Sequence, residues 1–422
     1  MNVESDVSMT SIEEDMDAFN NFVSLPCELL SLILRLLDTK DLLVWRSVSK
    51  STQLLTDFLV RNRKHELIFN YSNEMISKEQ LNFLCSYFIK IKKLSVANPN
   101  IRFDDIVNVY KKKISGLSFL EIGHLTTCTD MNIHWISYCF PNITTLVLTC
   151  VPINDESVAN LFRTLPALKT VELDRVSITG KCFSELSCSV TNLNWTLHGE
   201  IEICDDISFS KNGVGRIEEF SFQVAGSQEE DRVNIASVIA RDMRNIKCLR
   251  LLDMWVLNDI HQLCLSTNLQ ELDIRVSEVF GDYGFERPIF SLRKLSFDII
   301  NLNEVNLLTF LLNFPYVEDL SLFFSIGCEV ILTEDIIQAL LDLRKLKTLS
   351  FEDSNYESEE YFIFENAPEH ALIRLLHLLT GVTKFTIVLG NAFTNQNYDL
   401  IESAIEKLKS ERPQVLFTTD FV

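Results

Sequence analysis

The sequence predicts an α/β repeat protein, with a small helical unit near the N-terminus followed by a long array in which parallel strands alternate with helices. Three observations carry this reading. Residues 24–69 are dense in leucine and contain no glycine. From residue 91 onward a short apolar phrase returns twelve times. Between its copies the spacing of apolar residues changes from every second position, the period of a half-buried strand, to every third or fourth, the period of a helix.

The composition sets the outer bounds. A chain of 422 residues, 47% hydrophobic and with only 12 Gly and 9 Pro, has enough apolar material for large cores. Length alone suggests two to three domains, but a repeated architecture grows well past one ordinary core because each unit rests on its neighbours. The net charge of -21 opposes binding to nucleic acid or to an anionic membrane, and no long Lys/Arg stripe interrupts it. Eleven Cys at mostly apolar positions, without a C-x-x-C pair, fit reduced core-filling thiols. The first residues carry Glu4, Asp6, Glu13, Glu14, Asp15 and Asp17 and do not read as a signal peptide. An intracellular location, cytoplasm or nucleus, is expected.

Within residues 24–69, Pro26 suits a first helical turn, where its missing N–H costs nothing, and Glu28 favours the positive end of the helix dipole. Leu29, Leu30, Ile33, Leu36 and Leu37 follow at helical spacing. Asp38 to Asp41 supply capping groups before a second helix carrying Leu42, Leu43, Trp45 and Val48. A third starts near Ser49 or Ser51 and carries Leu54, Leu55, Phe58 and Leu59. So few residues cannot bury that many large side chains alone, so an apolar face is left for another protein.

This stretch resembles the F-box family. The match runs without a gap through Leu25, Pro26, Glu28, Leu29, Ile33, Leu37, Asp41, Leu42, Val48 and Lys50. It departs from the family at Thr52, where many members carry Trp. The resemblance implies a three-helix module that docks on the Skp adaptor and, through it, on a cullin. Leu25, Pro26, Glu28, Leu29, Leu30, Ile33 and Leu37 are then the expected adaptor contacts.

The apolar phrase places its residues at positions one, four and six. Clear copies include Ile91/Leu94/Val96, Leu117/Leu120/Ile122, Ile143/Leu146/Leu148, Leu168/Val171/Leu173, Leu249/Leu252/Met254, Leu269/Leu272/Ile274 and Leu292/Leu295/Phe297. Positions four and six mark a strand with one buried face, and stacked copies bury what each alone would expose. The pattern is similar to a leucine-rich repeat, which implies parallel strands lining the concave side of a horseshoe. Position nine, often Asn in that family, is here Leu125, Val151, Val176, Ser277 or Ile300. A doubly wound sheet would need fewer strands and a Gly-rich first turn. Ile401, Ala404, Ile405 and Leu408 outline a capping helix before Pro413. The expected organisation is an acidic disordered leader over 1–21, the F-box over 22–70, a linking helix over 71–90, and repeats with their cap over 91–422.

No Gly-rich phosphate loop or nucleophile elbow is present, and pairs such as His261 with Cys264 or His370 with His377 do not define a metal site. No cofactor and no catalytic activity are expected. The side chain between the two buried ones in each strand points outward, and this position holds Glu121, Glu172, Asp253 and Asp273. These four are the candidate client-binding residues, forming an acidic row for a client with a basic segment. The acidic, aromatic insertion Glu352 to His370 is a further candidate surface. The expected function is substrate recognition in a Skp-cullin-F-box ubiquitin ligase. The alternative is a repeat scaffold that binds a partner without any ligase.

Overall fold

The computed structural model describes residues 25–37, 39–63, 66–69, 91–97, 100–110, 116–124, 127–198, 201–209, 216–225, 235–258, 263, 268–280, 288–299, 304–324, 333–353, 368–389 and 395–421. The chain divides into two compact units, Met1–Cys128 with Trp135–Thr144, and Thr129–His134 with Thr145–Val422. The expected linking helix over 71–90 and the leader over 1–21 lie outside the described residues.

The first unit opens with helices α1 (Cys27–Leu36), α2 (Thr39–Val48) and α3 (Lys50–Arg63). The Pro26 carbonyl starts α1 by accepting from the N–H groups of Leu29 at 2.9 Å and Leu30 at 3.1 Å. At the start of α3, Ser49 and Thr52 form a reciprocal capping box. The Ser49 N–H donates to Thr52 Oγ1 at 2.9 Å, and the Thr52 N–H donates to Ser49 Oγ at 3.1 Å. Thr52, the departure from the F-box pattern, is buried and satisfied in this cap. Arg46 of α2 donates from Nε to Asp57 of α3 at 2.8 Å and ties the two helices together.

Strands β1 (Glu66–Phe69), β2 (Lys93–Val96) and β3 (Phe119–Gly123) follow, with helix α4 (Phe103–Val109) between the last two and α5 (Trp135–Cys139) after them. They pair in parallel with Leu67, Leu94 and Leu120 in one row and Phe69, Val96 and Ile122 in another. All six are buried. The sequence reading places residues 66–69 inside the helical segment, and the repeat phrase does not reach them, since its position one there is Lys64. Burial of Leu67 and Phe69 against β2 makes the segment a strand all the same.

The second unit contains β4 (Thr145–Thr149), α6 (Asp155–Thr164), β5 (Thr170–Asp174), a 3₁₀ turn at Lys181–Glu185, β6 (Asn192–His198), β7 (Glu219–Ala225), α7 (Ile235–Asp242), β8 (Cys248–Asn258) and β9 (Glu271–Phe280). It continues through β10 (Lys294–Ile299), α8 (Glu304–Leu312), β11 (Asp319–Phe324), α9 (Glu334–Asp342), β12 (Thr348–Asp353), α10 (Pro368–Leu378), β13 (Lys384–Leu389), α11 (Asn395–Glu411) and β14 (Leu416–Phe421). Every strand pairs in parallel with the next in chain order. This is the strand-turn-helix repeat that the phrase implied. One continuous row joins Leu146, Val171, Leu193, Phe220, Leu249, Leu272, Leu295, Leu320, Leu349 and Phe385, none more than 1% exposed.

Successive repeats are also tied by the main chain. The carbonyl just before most strands accepts from two N–H groups of the following repeat. Thus Glu218 O receives Lys247 N at 2.7 Å and Cys248 N at 3.0 Å, and Glu318 O receives Lys347 N and Thr348 N at the same distances. This backbone ladder links the repeat whose position nine is the buried apolar Val176, rather than Asn, to the next one. After three strands the eighth position is left-handed, with φ 56° at His124, 51° at Cys150 and 50° at Arg175.

Between β5 and β7 the core is aromatic. Phe183 lies 4.9 Å from Trp195 and 5.2 Å from Phe209, and Trp195 lies 4.9 Å from Phe222, measured between ring centroids. Gly180, at φ 91°, leaves room for this cluster, since a Cβ there would stand 2.7 Å from Ile207 Cδ1 and 3.0 Å from a Trp195 ring carbon. Two carboxylates pin loops to neighbouring repeats. Asp155 accepts from the Thr179 and Cys182 N–H groups at 2.8 and 3.0 Å. Asp242 accepts from the Phe209 N–H at 2.9 Å and the Ser208 hydroxyl at 3.0 Å. Helix α11 buries Ile405 and Leu408 as expected of a cap, and β14 then adds a strand beyond it, pairing Phe417 with Phe385. Among the described residues no helix is long and apolar enough to cross a membrane.

Candidate functional site

Two surfaces stand out, the first on the three N-terminal helices. Leu29, Leu32 and Leu36 fall at i, i+3 and i+7 on α1 and are 47%, 55% and 87% exposed. Val44 and Val48 on α2, and Leu54 and Phe58 on α3, are spaced i, i+4 and are each at least half exposed. Each helix therefore turns an apolar stripe to solvent. Of the residues expected to contact an adaptor, Leu29 and Pro26 are exposed and Leu25, Ile33 and Leu37 are half-buried. Glu28 lies on α1, with its side chain outside the described residues. Leu30 is buried, like Leu34, and spends its surface inside the helical unit. The sequence reading does not name Leu32 or Val44, and it names Leu54 as a third-helix residue rather than as a contact. The i, i+3, i+4 spacing that links them to their exposed neighbours was present in the sequence, but spacing alone does not say which face of a helix is covered.

The second surface is the outward face of the strands. Glu121 lies half-buried on β3 in the first unit, beside Ser95. In the second unit the outward row reads Val147, Glu172, Asn194, Ser221, Arg250, Asp273, Ser296, Ser321, Ser350 and Thr386. Asp253 is not in it. The residues of β8 that register with Leu272 and Ile274 are Leu249 and Leu251, so Arg250 occupies the place expected for Asp253. Strand β8 is apolar at nearly every position from Leu249 to Leu257, and the phrase fits it in two frames three residues apart. Only pairing selects one. Asp253 sits instead at a bulge between Leu251 and Met254, and its side chain lies outside the described residues.

The acidic row is thus broken. Glu172 and Asp273 are separated by four strand spacings, about 19 Å. Asp273 has Arg250 beside it on β8 and Arg275 two residues along its own strand, with Arg275 Nε 3.6 Å from Asp273 Oδ1. One row over, Asn192 Nδ2 donates to Glu219 at 2.7 Å, and Glu271 faces both the Cys248 thiol at 3.7 Å and Lys294 Nζ at 3.9 Å. The face is a lattice of mixed charges.

Burial pushes the Cys248 thiol up to about 11, helped by Glu271 and Glu219, so it stays protonated at neutral pH and is a poor nucleophile. Among the described residues no group of three or more His, Cys, Asp or Glu could hold a metal ion. His261 and Cys264 lie outside the described residues, His377 is exposed on α10, and the side chain of His370 is not among those described. Most of the insertion between Glu352 and His370, residues 354–367, also lies outside them. No protein-family model matches the chain, and no curated protein matches it.

Proposed function

We propose that the chain is a non-catalytic substrate receptor of a Skp-cullin-F-box ubiquitin ligase, its three N-terminal helices docking on the Skp adaptor and its strand face holding the client. The observation that carries this reading is the set of apolar stripes on α1, α2 and α3. Leu29, Leu32, Leu36, Val44, Val48, Leu54 and Phe58 stand in solvent within the stretch whose Leu-Pro-x-Glu opening and Val-x-Lys close resemble an F-box. A small helical unit that leaves so much apolar surface uncovered is built to bury it against another protein. The receptor's chemistry is then proximity. Holding a client near a charged conjugating enzyme raises the effective concentration of its lysines, and no reactive group of its own is needed.

Co-purification of the full chain with the Skp adaptor tests the reading. The wild type is expected to form a stable complex, and Leu29→Asp combined with Leu54→Asp to lose it. Each buried aliphatic anchor contributes about 1.5–3 kcal/mol, and a carboxylate in its place would be desolvated without a partner. A folded double variant that binds as the wild type does would leave a repeat scaffold without ligase function.

A further inference from the structure

We draw no further inference here: the strongest candidate, the exposed aromatic ledge of Phe290 and Tyr316 with Arg293 and Lys345 in the turns before β10, β11 and β12, lies beside Glu318, which pairs with Arg293 and Lys347, and nothing in the structure shows what covers it.

Discussion

The helical unit and the strand array treat leucine in opposite ways. On α1 to α3, leucines at helical spacing are split between a small interior, Leu30 and Leu34, and a solvent face, Leu29, Leu32, Leu36 and Leu54. In the array, the leucines of the central row are no more than 1% exposed from Leu146 to Leu349. The difference lies in what each element rests on. A strand in the array has a neighbour on both sides and helices over its inner face, so its apolar side chains are covered within the chain. Three short helices have too little volume to cover their own. Apolar residues in the array therefore report on stability, and those exposed on the helices contribute little to it.

Substitutions sharpen this contrast. The largest effect is expected in the aromatic core, where Trp195→Ala removes a side chain packed on Phe183 and Phe222 and should cost about 3–5 kcal/mol, read from the chemical unfolding midpoint. Next comes Gly180→Ala. The added methyl meets Ile207 and Trp195, and φ 91° suits no L-residue, so about 1–3 kcal/mol of overpacking is expected, with about 1–2 more from the backbone. Thermal melts of the two variants should rank them in that order.

Asp242→Asn tests whether a single carboxylate holds neighbouring repeats together. Burial pushes its carboxyl upward, but the hydrogen bonds from Arg241, the Phe209 N–H and Ser208 outweigh burial and leave it below the ordinary value of 3.8. A depressed carboxylate adds stability above its unfolded value, and that contribution is lost as pH falls through the folded one. The variant should therefore be about 1–3 kcal/mol less stable near neutral pH, and the gap to the wild type should narrow below about pH 4. Unfolding curves at pH 7 and pH 3 check the sign, and an unchanged gap would mean the carboxylate's charge is not what matters.

The smallest effect is expected on the helices. Leu36→Ser and Leu54→Ser, each at a mostly exposed position, should change stability by no more than about 0.5 kcal/mol. On the receptor reading proposed above, the same Leu54→Ser change should still weaken adaptor capture. A large loss of stability from either would show that these side chains are already covered within the chain, and the contrast between the two regions would collapse.

Much of the array was legible because its rule is local. Positions four and six must be apolar wherever a strand backs onto a helix layer, and Leu94, Leu120, Leu272 and Leu295 stand out in the sequence for that reason alone. The two end strands were not legible in this way. Lys64 and Gln414 occupy position one before β1 and β14, and pairing with an existing edge supplied what the pattern lacked. The candidate site was less legible still, because it depends on which residues face each other across strands.

By itself, the sequence determined that the chain is a repeat of strands and helices preceded by a helical segment with surplus apolar surface, since both follow from periodicity and from counting large side chains. It also showed that negative charge lies on the strands. Tertiary structure alone decided the frame of β8. A run in which nearly every residue is apolar carries no period, and only hydrogen-bonded register with β7 and β9 could set Arg250 beside Asp273 and turn an expected row of carboxylates into a mixed face.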